Sequence, residues 1–243
     1  MRAVSCVAPI VSLLVWTTAA TASAQSPPPL PPSSPPSSPD RDCLQGLSAE
    51  HVAFVEAPPT KGVRTPIRLR GPLGSISLQL RGRDSGSGEG PLLDCALARA
   101  LLDVGPVFDA AGIRTLIYSG TYQYRQRRGG SKLSEHAHGL AIDVHALVAR
   151  DGTVYDVRRD FERGVGAWTM VAEVDVCVGG PTTAPGRLLR QLACRLRAGS
   201  VLREVITADD NSDHDDHFHL EAFPDAYTRA RALLSPRIPV IDD

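Results

Sequence analysis

Two short segments of this 243-residue chain concentrate the side chains able to hold a metal ion. Residues 133–144 read LSEHAHGLAIDV and residues 212–221 read SDHDDHFHLE. Five of the seven histidines, His136, His138, His214, His217 and His219, fall in these two stretches, each of which also carries carboxylates. Imidazole nitrogens and carboxylate oxygens are zinc ligands, and a catalytic zinc takes three protein ligands and keeps a fourth position for water or substrate. Two histidines and one aspartate make such a set. Water held there becomes acidic near neutral pH, and a nearby carboxylate can take its proton. Asp216, three residues before His219, is a candidate for that acceptor.

For these residues to meet, the chain must bring two strands side by side. With residues 140–145 as a strand, Leu140, Ile142 and Val144 face one way and Ala141, Asp143 and His145 the other. In the second segment His217 and His219 share a face opposite Phe218 and Leu220. Adjacent strands of this kind point Asp143 and His219 into one cleft. His136 lies seven residues before Asp143, an odd separation, so it joins them only if the chain bends; Gly139 permits the bend.

The surrounding pattern is mixed. VRTPIRLRG and SISLQLRG alternate around turn residues and read as a pair of strands, GSGEG as a loop, and IRTLIYSGTYQY as a further strand. Apolar residues at helical spacing predict helices over residues 92–111, ending near Gly112, over PGRLLRQLACRLRAGSV, and over 225–234. Strands and helices without regular alternation predict an α+β domain, a mainly antiparallel sheet flanked by helices with the zinc site in a cleft on one sheet face.

Composition bounds the setting. The chain is 42% hydrophobic and 22% charged, as in ordinary globular proteins, and its formal net charge of -1 argues against a nucleic-acid-binding domain. The one basic run, RQRRGGSK, reads as a solvated loop. Residues 1–24 have the basic start, short apolar core and ASA end of a signal peptide, which predicts export to a periplasmic or extracellular compartment; no later run is long enough to span a membrane. Residues 25–42 read as a Pro/Ser-rich linker and 43–243 as one domain. Cys6 leaves with the signal peptide. The even remainder predicts two disulfides, with Cys43–Cys95 and Cys177–Cys194 favoured because each pair lies within one half of the chain.

Ser134, His136, Gly139, Ala141 and Asp143 reproduce the S-x-H-x-x-G-x-A-x-D signature of the D-alanyl-D-alanine carboxypeptidase-like zinc peptidases, and His217 to His219 their H-x-H. In the wider context of a following DG turn and DDHFHLE, the chain most resembles the bacterial extensin-like C-terminal domain family over residues 43–224. The resemblance implies zinc on His136, Asp143 and His219, Asp216 as acidic base, and Arg125 near the scissile carbonyl or substrate carboxylate. His217, which shares the ligand face, is the next candidate for the base. His138 matches no demanded position, and His214 has no assigned role. The implied activity is hydrolysis of D,D- or L,D-type peptide bonds in cell-wall peptidoglycan; the rival is a zinc-containing module that binds wall material without cutting it.

Overall fold

The computed structural model describes residues 39–82, 89–165 and 176–225. The expected leader, most of the Pro/Ser-rich segment and the expected helix beyond Asp225 lie outside these residues. The chain order is α1 (Pro39–Ala49), β1 (Phe54–Glu56), β2 (Pro66–Leu69), β3 (Ser77–Leu80), β4 (Leu92–Asp94), α2 (Cys95–Ala110), β5 (Ile113–Gly120), β6 (Ala141–Ala149), β7 (Val154–Asp156), α3 (Val157–Asp160), α4 (Ala184–Ala198), β8 (Leu202–Ile206) and β9 (Phe218–Ala222). Single 3-10 turns at Glu135–His138 and Ser212–His214 lead into β6 and β9. No helix among the described residues is long and apolar enough to cross a membrane. Helix α1 takes in residues 39–42, the end of the stretch expected as linker.

The α+β expectation holds. A six-stranded sheet runs β3-β5-β6-β9-β8, with β7 also on β6, and all its pairs are antiparallel except β3 with β5. A smaller antiparallel sheet runs β1-β2-β4. Both strands expected from VRTPIRLRG and SISLQLRG form, as β2 and β3, but they do not pair with each other. β2 pairs with β1 and β4, whereas β3 pairs with β5. Between them the chain turns at Leu73 and Ile76, which bridge each other and are fully buried, so the turn is pinned in the core and sends β3 to the other sheet.

The helix expected over 92–111 divides. Leu92–Asp94 pairs with β2, and the helix begins at Cys95 because Asp94 caps it, accepting from Ala96 N at 2.8 Å. The same carboxylate accepts from the backbone of Arg64 at 3.1 Å and Thr65 at 2.8 Å, tying β2 to α2. Burial pushes Asp94's pKa up, and those backbone donors only partly offset it. The helix ends before Gly112, at φ 76°, as expected.

Helices α2 and α4 cover the apolar side of the larger sheet, where Leu101, Phe108, Leu189, Leu192 and Leu196 meet Ile142, Val144, Phe218 and Leu220 in one core. Thr183 caps α4 through Gly186 N at 3.1 Å, and Glu162 accepts from the backbone and hydroxyls of Thr182 and Thr183 just ahead of it. Both expected disulfides are present, Cys43–Cys95 joining α1 to α2 and Cys177–Cys194 joining α4 to the segment before it.

Candidate metal centre

The site grows from one register. β6 and β9 are antiparallel neighbours with Asp143 directly opposite His219 and Val144 opposite Phe218. The apolar members of both strands go to the core, so Asp143 and His219 share the other face, as the alternation predicts. His219 Nδ1 lies 2.7 Å from Asp143 Oδ1. The 3-10 turn before β6 delivers His136, whose Nε2 is 3.1 Å from the same oxygen. The bend is made by Gly139 at φ 66°, where a Cβ would stand 2.8 Å from Asp94 N, and Asp94 N donates to Gly139 O at 3.0 Å. Only glycine fits that approach.

The far nitrogens of both rings are also engaged. His136 Nδ1 is 3.4 Å from Thr121 O, and His219 Nε2 is 3.0 Å from Glu221 Oε1. An N–H given to an outer acceptor leaves the inner nitrogen as a lone pair. Two lone pairs and a carboxylate oxygen then face one another at hydrogen-bond distance, an arrangement that needs a cation or an added proton. Burial opposes charge on Asp143, yet hydrogen bonds from His136 and His219 hold its carboxyl far below the usual range. On His219 burial is again outweighed, by the bonds to Asp143 and Glu221, and the pKa is pushed up to about 9. His136, Asp143 and His219 thus fit a zinc ion in donor type, and their ligand atoms lie within 4.8 Å of one another.

His217 and His214 crowd the same cleft. His217 Nε2 lies 3.4 Å from Asp143 Oδ1, and its Nδ1 is 2.8 Å from Asp216 Oδ1. His217 therefore stands between Asp216 and Asp143. Asp216's other oxygen faces Arg158 at 3.3 Å, Arg81 at 3.7 Å and His145 Nδ1 at 3.5 Å. Burial opposes ionisation of Asp216, but the bond from His217 and the charge interactions with His145, His217 and Arg158 lower its pKa. His214 joins from the 3-10 turn Ser212–His214, its Nδ1 on Asn211 Oδ1 at 2.5 Å; burial and the neighbouring His219 and His217 pull its pKa down to about 4.

Other expected residues fall elsewhere. His138 turns to Gly62 O at 2.9 Å and joins none of the described metal-capable groups. Arg125 is exposed, and its described hydrogen bonds go to Gln123 and Gln126 rather than to the cleft. The basic run is exposed throughout, as expected of a solvated loop, and two of its arginines pair with carboxylates. Arg127 reaches Glu135 at 3.2 Å and Glu221 at 3.6 Å, and Arg128 reaches Asp213 at 3.0 Å. Two residues beside the site had no role assigned from the sequence. Glu221, nearly fully buried, backs His219 and also meets Arg203 at 3.4 Å; its signal was the continuation of the His217, His219 alternation by two more residues. His145, on the Asp143 face of β6, bonds Ser119 Oγ at 2.8 Å and Asp216 O at 3.0 Å and so ties the turn before β9 to the sheet.

Comparison with known proteins bears on this arrangement through one family. No curated protein and no solved structure matches the chain. The family model described as extensin-like protein C-terminus matches residues 42–230 and so takes in both histidine segments, α2, α4 and every strand of the two sheets. On that match the chain belongs to the extensin-like protein C-terminus family.

Proposed function

We propose that this chain is an exported zinc-dependent hydrolase that cleaves peptide bonds of cell-wall peptidoglycan, related in chemistry to the D-alanyl-D-alanine carboxypeptidase-like peptidases. The observation that carries the reading is the convergence of His136 Nε2 and His219 Nδ1 on Asp143 Oδ1, each ring with its far nitrogen already bonded. Zinc, when bound, supplies a Lewis acid that polarises a carbonyl and acidifies water. His217 Nε2, with its lone pair toward the cleft, accepts the proton that attacking water gives up, and later returns it to the leaving amine. Asp216 holds His217 by Nδ1–H and so fixes the tautomer that leaves Nε2 free. Asp216 thus acts one step behind the proton acceptor. Arg125, close in sequence to the cleft segment, would bind the substrate carboxylate only by swinging away from Gln123 and Gln126. The two disulfides fit an oxidising destination.

A specific contact favours the rival reading. Asp216 is held by Arg158 and Arg81, and a carboxylate locked to protein cations suits a zinc-containing module that binds wall peptide without turnover. Zinc-loaded protein incubated with peptidoglycan fragments, with products read by mass, decides between them. Released amino acids or shortened peptides, lost in His217→Ala, support the hydrolase. Tight retention of uncut fragments by both proteins supports the binding module. Elemental analysis of the same samples should find about one tightly held zinc per chain, lost in His136→Ala and in Asp143→Ala.

A further inference from the structure

The cleft holds more donor nitrogens than one three-ligand ion uses. The ring centroid of His214 lies 5.0 Å from that of His217 and 5.3 Å from that of His219, and ligand atoms of the three lie within 4.8 Å of one another. His219 is already committed, Nδ1 to Asp143 and Nε2 to Glu221. Among the described residues, His214 and His217 are hydrogen-bonded at one ring nitrogen only, with His217 Nε2 3.4 Å from Asp143 Oδ1. Each has Nδ1 engaged by an oxygen acceptor, Asn211 Oδ1 for His214 and Asp216 Oδ1 for His217. An Nδ1–H donated to oxygen leaves Nε2 bare, which is the tautomer and outer bonding of a metal-ligating histidine. Both rings are partly exposed, so an ion can reach them from solvent.

The geometry points to a second, weaker zinc position held by Nε2 of His214 and Nε2 of His217, beside the first. It rests on the reading that His136, Asp143 and His219 hold the first ion. Two neutral imidazoles hold zinc less tightly than two imidazoles and a carboxylate, and the first dication repels a second. The nearby carboxylates offset that repulsion only in part, since Asp213 is paired with Arg128 and Asp216 with Arg158. The neighbouring set of His145, Asp216 and His217 is a poorer place for the ion. Guanidinium nitrogens already stand 3.0 Å from His145 Nδ1 and 3.3 Å from Asp216 Oδ2. Occupancy of the second position has a functional cost: a lone pair on His217 given to zinc cannot accept a proton, so excess zinc inhibits the hydrolysis that the first ion supports.

The test titrates zinc into the metal-free full chain against a chromophoric chelator at neutral pH, in parallel with a hydrolysis assay on wall fragments. Wild-type protein is expected to bind in two steps totalling about two ions per chain, with activity rising over the first step and falling over the second. His214→Ala, and His214→Gln as a variant that keeps more of the side-chain bulk, should retain the first step and lose both the second step and the inhibition. A single step in wild type, or a second step that survives both substitutions, overturns the second position while leaving the first standing. Absence of any binding overturns both. Two steps with His214 dependence but no hydrolysis keep the second position and remove the hydrolase reading instead.

Discussion

The ring of His219 is gripped at both ends, by Asp143 on Nδ1 and by Glu221 on Nε2. Glu221 is in turn steadied by Arg203 at 3.4 Å and Arg127 at 3.6 Å. Burial works against its ionisation, yet the bond to His219 and these cations keep its pKa low. The neighbouring Glu204 goes the other way, raised by burial and by the charge on Glu221. A carboxylate behind a metal-ligating histidine orients the ring and raises its basicity, and removing such a partner costs about 10 to 100-fold in metal affinity. Glu221→Gln, which can still accept the Nε2 proton but carries no charge, should therefore weaken zinc binding toward the lower end of that range with the fold intact; chelator competition measures it. His217 and Asp216 separate by degree. His217→Ala removes the proposed proton acceptor and should lower kcat by about 10² to 10⁴-fold. Asp216→Asn keeps a partner for Nδ1 and should lower kcat less, with KM and zinc content nearly unchanged. A larger loss in Asp216→Asn than in His217→Ala would assign the proton to Asp216 directly.

At the scale of elements, α4 is fastened at its start by Glu162, which accepts from Thr182 and Thr183 through backbone and hydroxyl donors. Those bonds hold the Glu162 carboxyl down to about 2 from an ordinary 4.5. A depressed carboxyl contributes stability that is complete above the unfolded value and is lost as pH falls through the folded one. Melting temperatures of wild type and Glu162→Gln should thus differ above about pH 4.5 and converge as the pH approaches 2. The same scale shows what the sequence could and could not disclose. Asp143 and His219 were legible because a period of two decides which face a side chain takes, and His136 because a glycine stands where the chain must bend. Pairing was not legible in the same way. Alternation in β2 and β3 says which residues are buried but not which strand lies alongside, and the deciding contacts of Leu73 and Ile76 are with the core. Leu92 and Leu93 suit either period; the aspartate that follows them, capping α2, was the better signal. The fate of Arg127 was hidden because its partner Glu221 lies in a strand that only the fold brings near.

Over the described molecule two covalent links divide the labour. Cys43–Cys95 closes a separation of 52 residues and Cys177–Cys194 one of 17. Loop-closure entropy assigns about 4 kcal/mol to the first and about 3 kcal/mol to the second. Peptide mapping without reductant should find no free thiol among the four cysteines, and paired Cys→Ser substitution should lower the denaturant midpoint more for the first link than for the second. Neither link spans the candidate metal centre. Its donors come from two hairpin-distant parts of the chain, His136 and Asp143 on one side and His219 on the other, joined only when β9 docks against β6 with Asp143 facing His219. That pairing is 76 residues apart, and contacts so distant in sequence carry a large loop-closure cost and tend to form slowly. On the proposed export, a chain threaded across a membrane N-terminus first would carry half of the candidate site until β9, the last described strand, arrived, and would take up any ion on the far side, from whatever supply that compartment holds.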